Sequence, residues 1–258
     1  MLSEAIVIFD PIFYLASGLA VTCLGLSKSG FVGFGLIATP LLALVVPPAQ
    51  AVAILLPIML LQDIISVWAY RHDWDKWNLT VLLPSAALGV VLAWFVAGSV
   101  SDSDIRLAVG FIAFGYAVFH SLVYPPIKSK RRPVAMYGIV LGAVAGFTGT
   151  LANAAGPPFL LFVLPQQLEK LTFVGTMAIF FTVLNGIKVI PFFALGQFST
   201  QNVATSIMLL PLAVAANFLG IWLVGKMPVR LFYKVAYVLM FFISVALLWQ
   251  GSIGASRG

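Results

Sequence analysis

The chain has 258 residues, 62% of them hydrophobic and 9% charged, and a mean hydropathy of +1.09. A soluble domain must wrap its apolar core in polar surface, and this composition leaves too little polar material to do so, which excludes soluble enzymes and binding modules. The formal net charge of +6 does not point to a nucleic-acid partner, because four basic residues, Lys128, Lys130, Arg131 and Arg132, sit in one loop between hydrophobic stretches. In chain order, apolar segments fall near 11–24, 31–46, 50–70, 78–98 and 106–124, then near 134–150, 156–165, 171–193, 203–224 and 230–250. They predict an all-α integral membrane protein forming a single membrane domain over 1–258, with a first unit at 11–124 and a second at 134–250. Met1 to Phe9 lacks a basic start and a small-residue cleavage site, so the N-terminus is expected to stay on the mature protein. The single Cys23 rules out an internal disulfide framework and is expected to be a packing residue.

The two units share landmarks in the same order. Each has a polar, glycine-containing break, then Pro40-Leu41-Leu42 or Pro158-Phe159-Leu160, then a helix carrying Asp63 or Asn185, then a Leu-Pro step at Pro84 or Pro211 that is expected to open a helix. Corresponding landmarks lie about 118 to 127 residues apart, as expected for two copies of one unit. The positive-inside rule makes the loop at 125–133 cytoplasmic. If each segment pair, 11–46 and 134–165, crosses an even number of times, Arg71, Lys76, Lys170, Lys226, Arg230 and Lys234 also fall inside; a single crossing by the second pair would move the last three outside. The even count leaves an odd number of crossings per half and both termini outside, which predicts two inverted repeats. Two full spans with a turn need roughly 40 residues, more than either pair holds. Each repeat is therefore expected to have three full transmembrane helices plus a broken or re-entrant hairpin, with tips near Lys28 and Asn153.

Those tips gather the candidate chemistry. The first holds Ser27, Lys28, Ser29 and Gly30; the second holds Asn153, Gly156 and the Pro157-Pro158 pair, with Thr148 and Thr150 a turn earlier. Helix N-termini carry partial positive charge and free N–H groups, and two of them facing one another with an ammonium suit a small oxyanion. An ammonium at membrane depth costs roughly 2.5–3.5 kcal/mol, so Lys28 either faces such a site or snorkels to the cytoplasmic face. Asp63, with Gln62 beside it and Ser66 a turn on, either balances Lys28 or Lys188 or carries a coupling proton. Thr182, Asn185 and Lys188 share one helix face, and Lys188 either joins the site or reaches the outer interface. His72 and His120 have no partners at metal-ligand spacing, and no Walker loop or nucleophile elbow is present, so the reading is not an enzyme and calls for no metal or cofactor. Trp68, Tyr70, Trp74 and Trp77 mark one membrane boundary.

The run Gly25-Leu26-Ser27-Lys28-Ser29-Gly30-Phe31-Val32-Gly33-Phe34-Gly35 with Pro40-Leu41-Leu42, then Ala152 to Pro158, Phe173-Val174-Gly175-Thr176, Asn185 to Lys188 and Leu195-Gly196-Gln197-Phe198 resembles the sulfite exporter TauE/SafE family over nearly the whole chain. The resemblance implies a multi-pass inner-membrane permease that exports sulfite, sulfonates or related small sulfur anions. It also implies eight helices, which fits when each hairpin counts once. Two departures stand out: the first break is less glycine-rich than the family pattern, and Ala155 replaces a glycine, where its methyl group is expected to narrow the site. The function that follows is a secondary carrier of a small sulfur-containing anion, with the lipid bilayer as its surroundings and protons or another ion as the coupling partner. The competing classes are a passive anion channel and an intramembrane enzyme or assembly factor.

Overall fold

The computed structural model describes residues 11–31, 34–42, 45–46, 48–96, 107, 110–111, 114, 132–151, 154–194 and 198–255. Asn153, the basic loop at 125–131 and most of the expected segment 106–124 lie outside the described residues. Every described element is helical: α1 (Pro11–Lys28), α2 (Gly35–Leu42), α3 (Pro48–Tyr70), α4 (Lys76–Val96), α5 (Ala135–Leu151), α6 (Gly156–Val163), α7 (Lys170–Ala194), α8 (Thr200–Lys226) and α9 (Val229–Ala255), with a 3-10 turn at Leu164–Gln166 after α6. A helix satisfies its backbone within one segment, which is what a chain in hydrocarbon requires. Five of these helices are long and apolar enough to cross a membrane, at Pro11–Lys28, Gln50–Tyr70, Lys76–Val96, Lys170–Ala194 and Thr200–Lys226, and Ala135–Leu151 is a shorter apolar helix. Large apolar side chains such as Leu15, Phe95, Phe193 and Trp222 point outward, as they do on a lipid-facing surface. The chain is a multi-pass membrane protein.

Both segment pairs at the expected breaks consist of a long helix, an interruption and an eight-residue helix. α1 packs on α8, α4 on α5, and α3 on α7; α3 also meets α8 and α4 meets α7. Exchanging α1–α4 for α5–α8 turns α1–α8 into α5–α4 and α3–α8 into α7–α4, and leaves α3–α7 as itself. Small residues allow the closest approaches, since a Cβ at Gly146 would run into the Ala86 carbonyl and one at Gly89 into that of Ala143. At α1–α8 the counterpart is Gly25, where a Cβ would lie 2.7 Å from the backbone of Ala216 and Asn217.

Pro84 and Pro211, expected to open helices, lie inside α4 and α8 instead. Capping decides the true starts. The Asp75 carboxylate accepts from Asn78 N at 2.8 Å ahead of α4, and the Ser199 hydroxyl accepts from Asn202 N at 3.2 Å ahead of α8. The proline then costs one interior hydrogen bond, which membrane helices tolerate. At the aromatic boundary Trp68 and Trp74 are exposed and Arg71 stacks 5.3 Å from the Trp68 ring, but Tyr70 is buried.

Candidate anion site between the helix breaks

The first break is made by a tight reversal after α1. Gly30 N donates to Ser27 O at 3.1 Å and Phe31 N to Leu26 O at 3.2 Å, with Gly30 at φ +130°, a region that disfavours any side chain. A Cβ there would also press on Val174 Cγ2 at 2.9 Å. The reversal leaves Lys28 as the last residue of α1, inside the protein. Its Nζ lies 2.7 Å from Asp63 Oδ1 and 5.5 Å from the centre of the Phe181 ring. The other carboxylate oxygen of Asp63 accepts from Asn185 Nδ2, also at 2.7 Å.

In the second break Ala154 N donates to Thr148 O at 3.1 Å, closing the end of α5. Pro157 and Pro158 then occupy the first turn of α6, where their fixed φ suits a helix start and the missing N–H groups cost no intrahelical bond. Gly156 keeps its N–H at that end. Lys188 reaches across from α7 and donates to Gly149 O at 3.3 Å, at the end of α5. Lys28 is 7% exposed, Lys188 4% and Asp63 0%, so both lysines point into protein and neither reaches an interface.

These groups converge on a cavity of about 60 Å³. One water needs about 10–15 Å³ of such space, so the cavity holds a few water-sized groups and suits a compact ion, not a nucleotide or a sugar. Its polar lining is Ser27, Lys28, Asn185 and Lys188, together with Gly35 and Gly156, the first residues of the two short helices. Leu24, Met59, Met177, Ala178 and Phe181 supply the apolar lining, and Ala155 is part of the wall. Asp63, which pairs with Lys28, stands outside the lining, so two lysines and no carboxylate side chain form part of the cavity wall among the described residues.

The other candidate residues take different places. Ser29 turns its hydroxyl to Gly25 O and Asn217 at about 3.0 Å or less, and Gly30 shapes the reversal. Thr150 donates to Gly146 O at 2.8 Å within its own helix, while the Thr148 hydroxyl lies 2.7 Å from Val144 O in its helix and 3.0 Å from Ala154 O in the break. Among the described residues no group of three or more His, Cys, Asp or Glu side chains comes together. Sequence reasoning passed over Phe181 and Asn217. Nothing separates Phe181 from the other 20 phenylalanines in the chain, whereas Asn217 is a carboxamide in the middle of an apolar 27-residue helix, which is itself a signal.

Helix pairs interrupted within the membrane and closing on a small polar cavity are the plan on which membrane transporters build their binding sites. A family model described as sulfite exporter TauE/SafE matches residues 17–247, and the chain belongs to that family of membrane transporters. Neither the curated proteins nor the solved structures contain a match to it.

Proposed function

We propose that this protein is a secondary carrier that exports a small sulfur-containing anion, sulfite or a compact organosulfonate, across the inner membrane. The observation that carries the reading is the cavity lined by two buried ammonium groups and the first residues of two short helices. The apolar lining favours a sulfonate with a small organic substituent over a strongly hydrated inorganic dianion, whose lost water the methionine and phenylalanine side chains do not replace. The shared order of landmarks, and contact pairs that survive exchange of the halves, support two inverted repeats that rock about this site.

The test is flux of labelled sulfite, sulfate, thiosulfate, taurine and sulfoacetate in proteoliposomes, with and without a pH gradient. Saturable movement of sulfite or a sulfonate, faster than that of sulfate, is expected. Conductance that does not saturate would assign a channel, and no movement of any of the five would overturn the reading.

A further inference from the structure

Asn217 on α8 is fully buried and absent from the cavity lining, yet its hydrogen bonds end on the chain neighbours of both members of the Lys28–Asp63 pair. Its Oδ1 accepts from the hydroxyl of Ser29, the residue after Lys28, at 2.9 Å, and from that of Ser66, one turn after Asp63, at 3.3 Å. Its Nδ2 donates to the carbonyl of Gln62, the residue before Asp63, at 2.8 Å. The Gln62 side chain in turn donates to Ala213 O on α8 at 3.1 Å and to Val21 O on α1 at 3.4 Å. Three helices meet on one carboxamide. Glycines let them do so: a Cβ at Gly220 would stand 2.5 Å from Ser29 Oγ, and one at Gly25 would stand 2.7 Å from Asn217 N.

A lysine has a flexible four-carbon stem, so the position of its ammonium depends on how firmly the backbone beneath it is held. A buried ion pair is favourable only in good geometry. We propose that Asn217 is a positioning residue of the anion site: it fixes the end of α1 against α3, and so keeps the Lys28 ammonium both against Asp63 and on the cavity wall. An asparagine fits the task because one side chain supplies an acceptor for two hydroxyls and a donor for a carbonyl. The consequence for anion binding rests on the proposed function, while the consequence for the ion pair does not.

The experiment separates the two. Thermal unfolding of purified protein, without added anion, is measured for Lys28→Gln, Asp63→Asn and the double variant, in the parent and in the Asn217→Ala background. In the parent the two changes are expected to be non-additive by several degrees, and in the Asn217→Ala background that non-additivity is expected to vanish. Equal non-additivity in both backgrounds would show that Asn217 only packs helices, and would overturn the proposal. If Asn217→Ala does not fold, the same cycle in Ser29→Ala, which removes the α1 arm alone, gives the same decision. Methanesulfonate binding supplies the second readout: Asn217→Ala is expected to weaken it about tenfold, with no further loss on adding Asp63→Asn. A parent that binds neither methanesulfonate nor sulfite would sink the anion reading and leave the thermal cycle to judge Asn217.

Discussion

Lys28 is shared between a carboxylate and a cavity, and the two claims on its ammonium can be tested apart. Charge-assisted hydrogen bonds contribute about 1.5–3 kcal/mol, so Lys28→Gln, made together with Asp63→Asn to leave no buried charge unpaired, is expected to reach the membrane and to bind anion roughly ten- to a hundredfold more weakly, as read from the saturation of flux. Unaltered saturation would remove Lys28 from the site. Asp63→Asn leaves the Lys28 ammonium buried without its carboxylate, a change that costs about 3–5 kcal/mol when one partner of such a pair is lost. Protein level should therefore fall in Asp63→Asn and recover in the double variant with Lys28→Gln. If Asp63 instead carried a coupling proton, Asp63→Asn would abolish gradient-driven accumulation and spare exchange between equal pools. Phe181 offers a test of size: its ring lines the cavity beside the Lys28 ammonium. Phe181→Ala is expected to shift preference from methanesulfonate toward longer alkanesulfonates in competition assays, and an unchanged order of preference would show that the ring does not limit the site.

At the scale of elements, helix contacts depend on the absence of side chains at a few positions. Gly146 abuts the Ala86 carbonyl across α4–α5, so Gly146→Val must push the two helices apart, and an overpacked interior costs about 1–3 kcal/mol. The thermal midpoint in detergent should fall accordingly. Gly225, on α8, faces open space, and Gly225→Ala is expected to leave the midpoint unchanged or slightly raised, since alanine is the better helix former. Element positions were largely legible in the sequence because apolar runs of membrane length have few alternatives: the runs near 50–70 and 171–193 became Pro48–Tyr70 and Lys170–Ala194. Pro84 and Pro211 misled because proline was read as a helix start, whereas Asp75 and Ser199 had already capped the helices well upstream. Within the segment 31–46, α2 holds the eight residues Gly35–Leu42, and Phe31 belongs to the reversal through its bond to Leu26 O.

For the whole molecule, orientation in the bilayer is tested by labelling. In a Cys23→Ser background, single cysteines introduced at positions 128 and 228 should both react with a membrane-impermeant thiol reagent from the cytoplasmic side. Labelling from opposite sides would contradict the inverted count of crossings. The packing of α1–α8 is related to that of α5–α4, and that of α3–α8 to that of α7–α4, by exchange of the halves, which supports the proposed repeat.

Composition and hydropathy alone determined that this is a helical membrane protein, because 62% hydrophobic residues in runs of membrane length have no soluble solution. The motifs around Lys28 and Gly156 carried the family and pointed to both breaks, since a charge or a Pro-Pro pair within an apolar run is conspicuous in one dimension. Which residues face one another was settled only by tertiary structure. Asp63 had two candidate lysines in the sequence, and the fold sets Lys28 on one of its oxygens and Asn185 on the other. Ser29 stood next to Lys28 in the motif, but the reversal at Gly30 turned it to Asn217, 188 residues distant along the chain, and away from the cavity. Phe181 and Asn217 acquired meaning only there. Hydrophobic patterning fixes how much of a helix is buried, while the direction of each polar side chain depends on the close helix approaches that a few glycines permit.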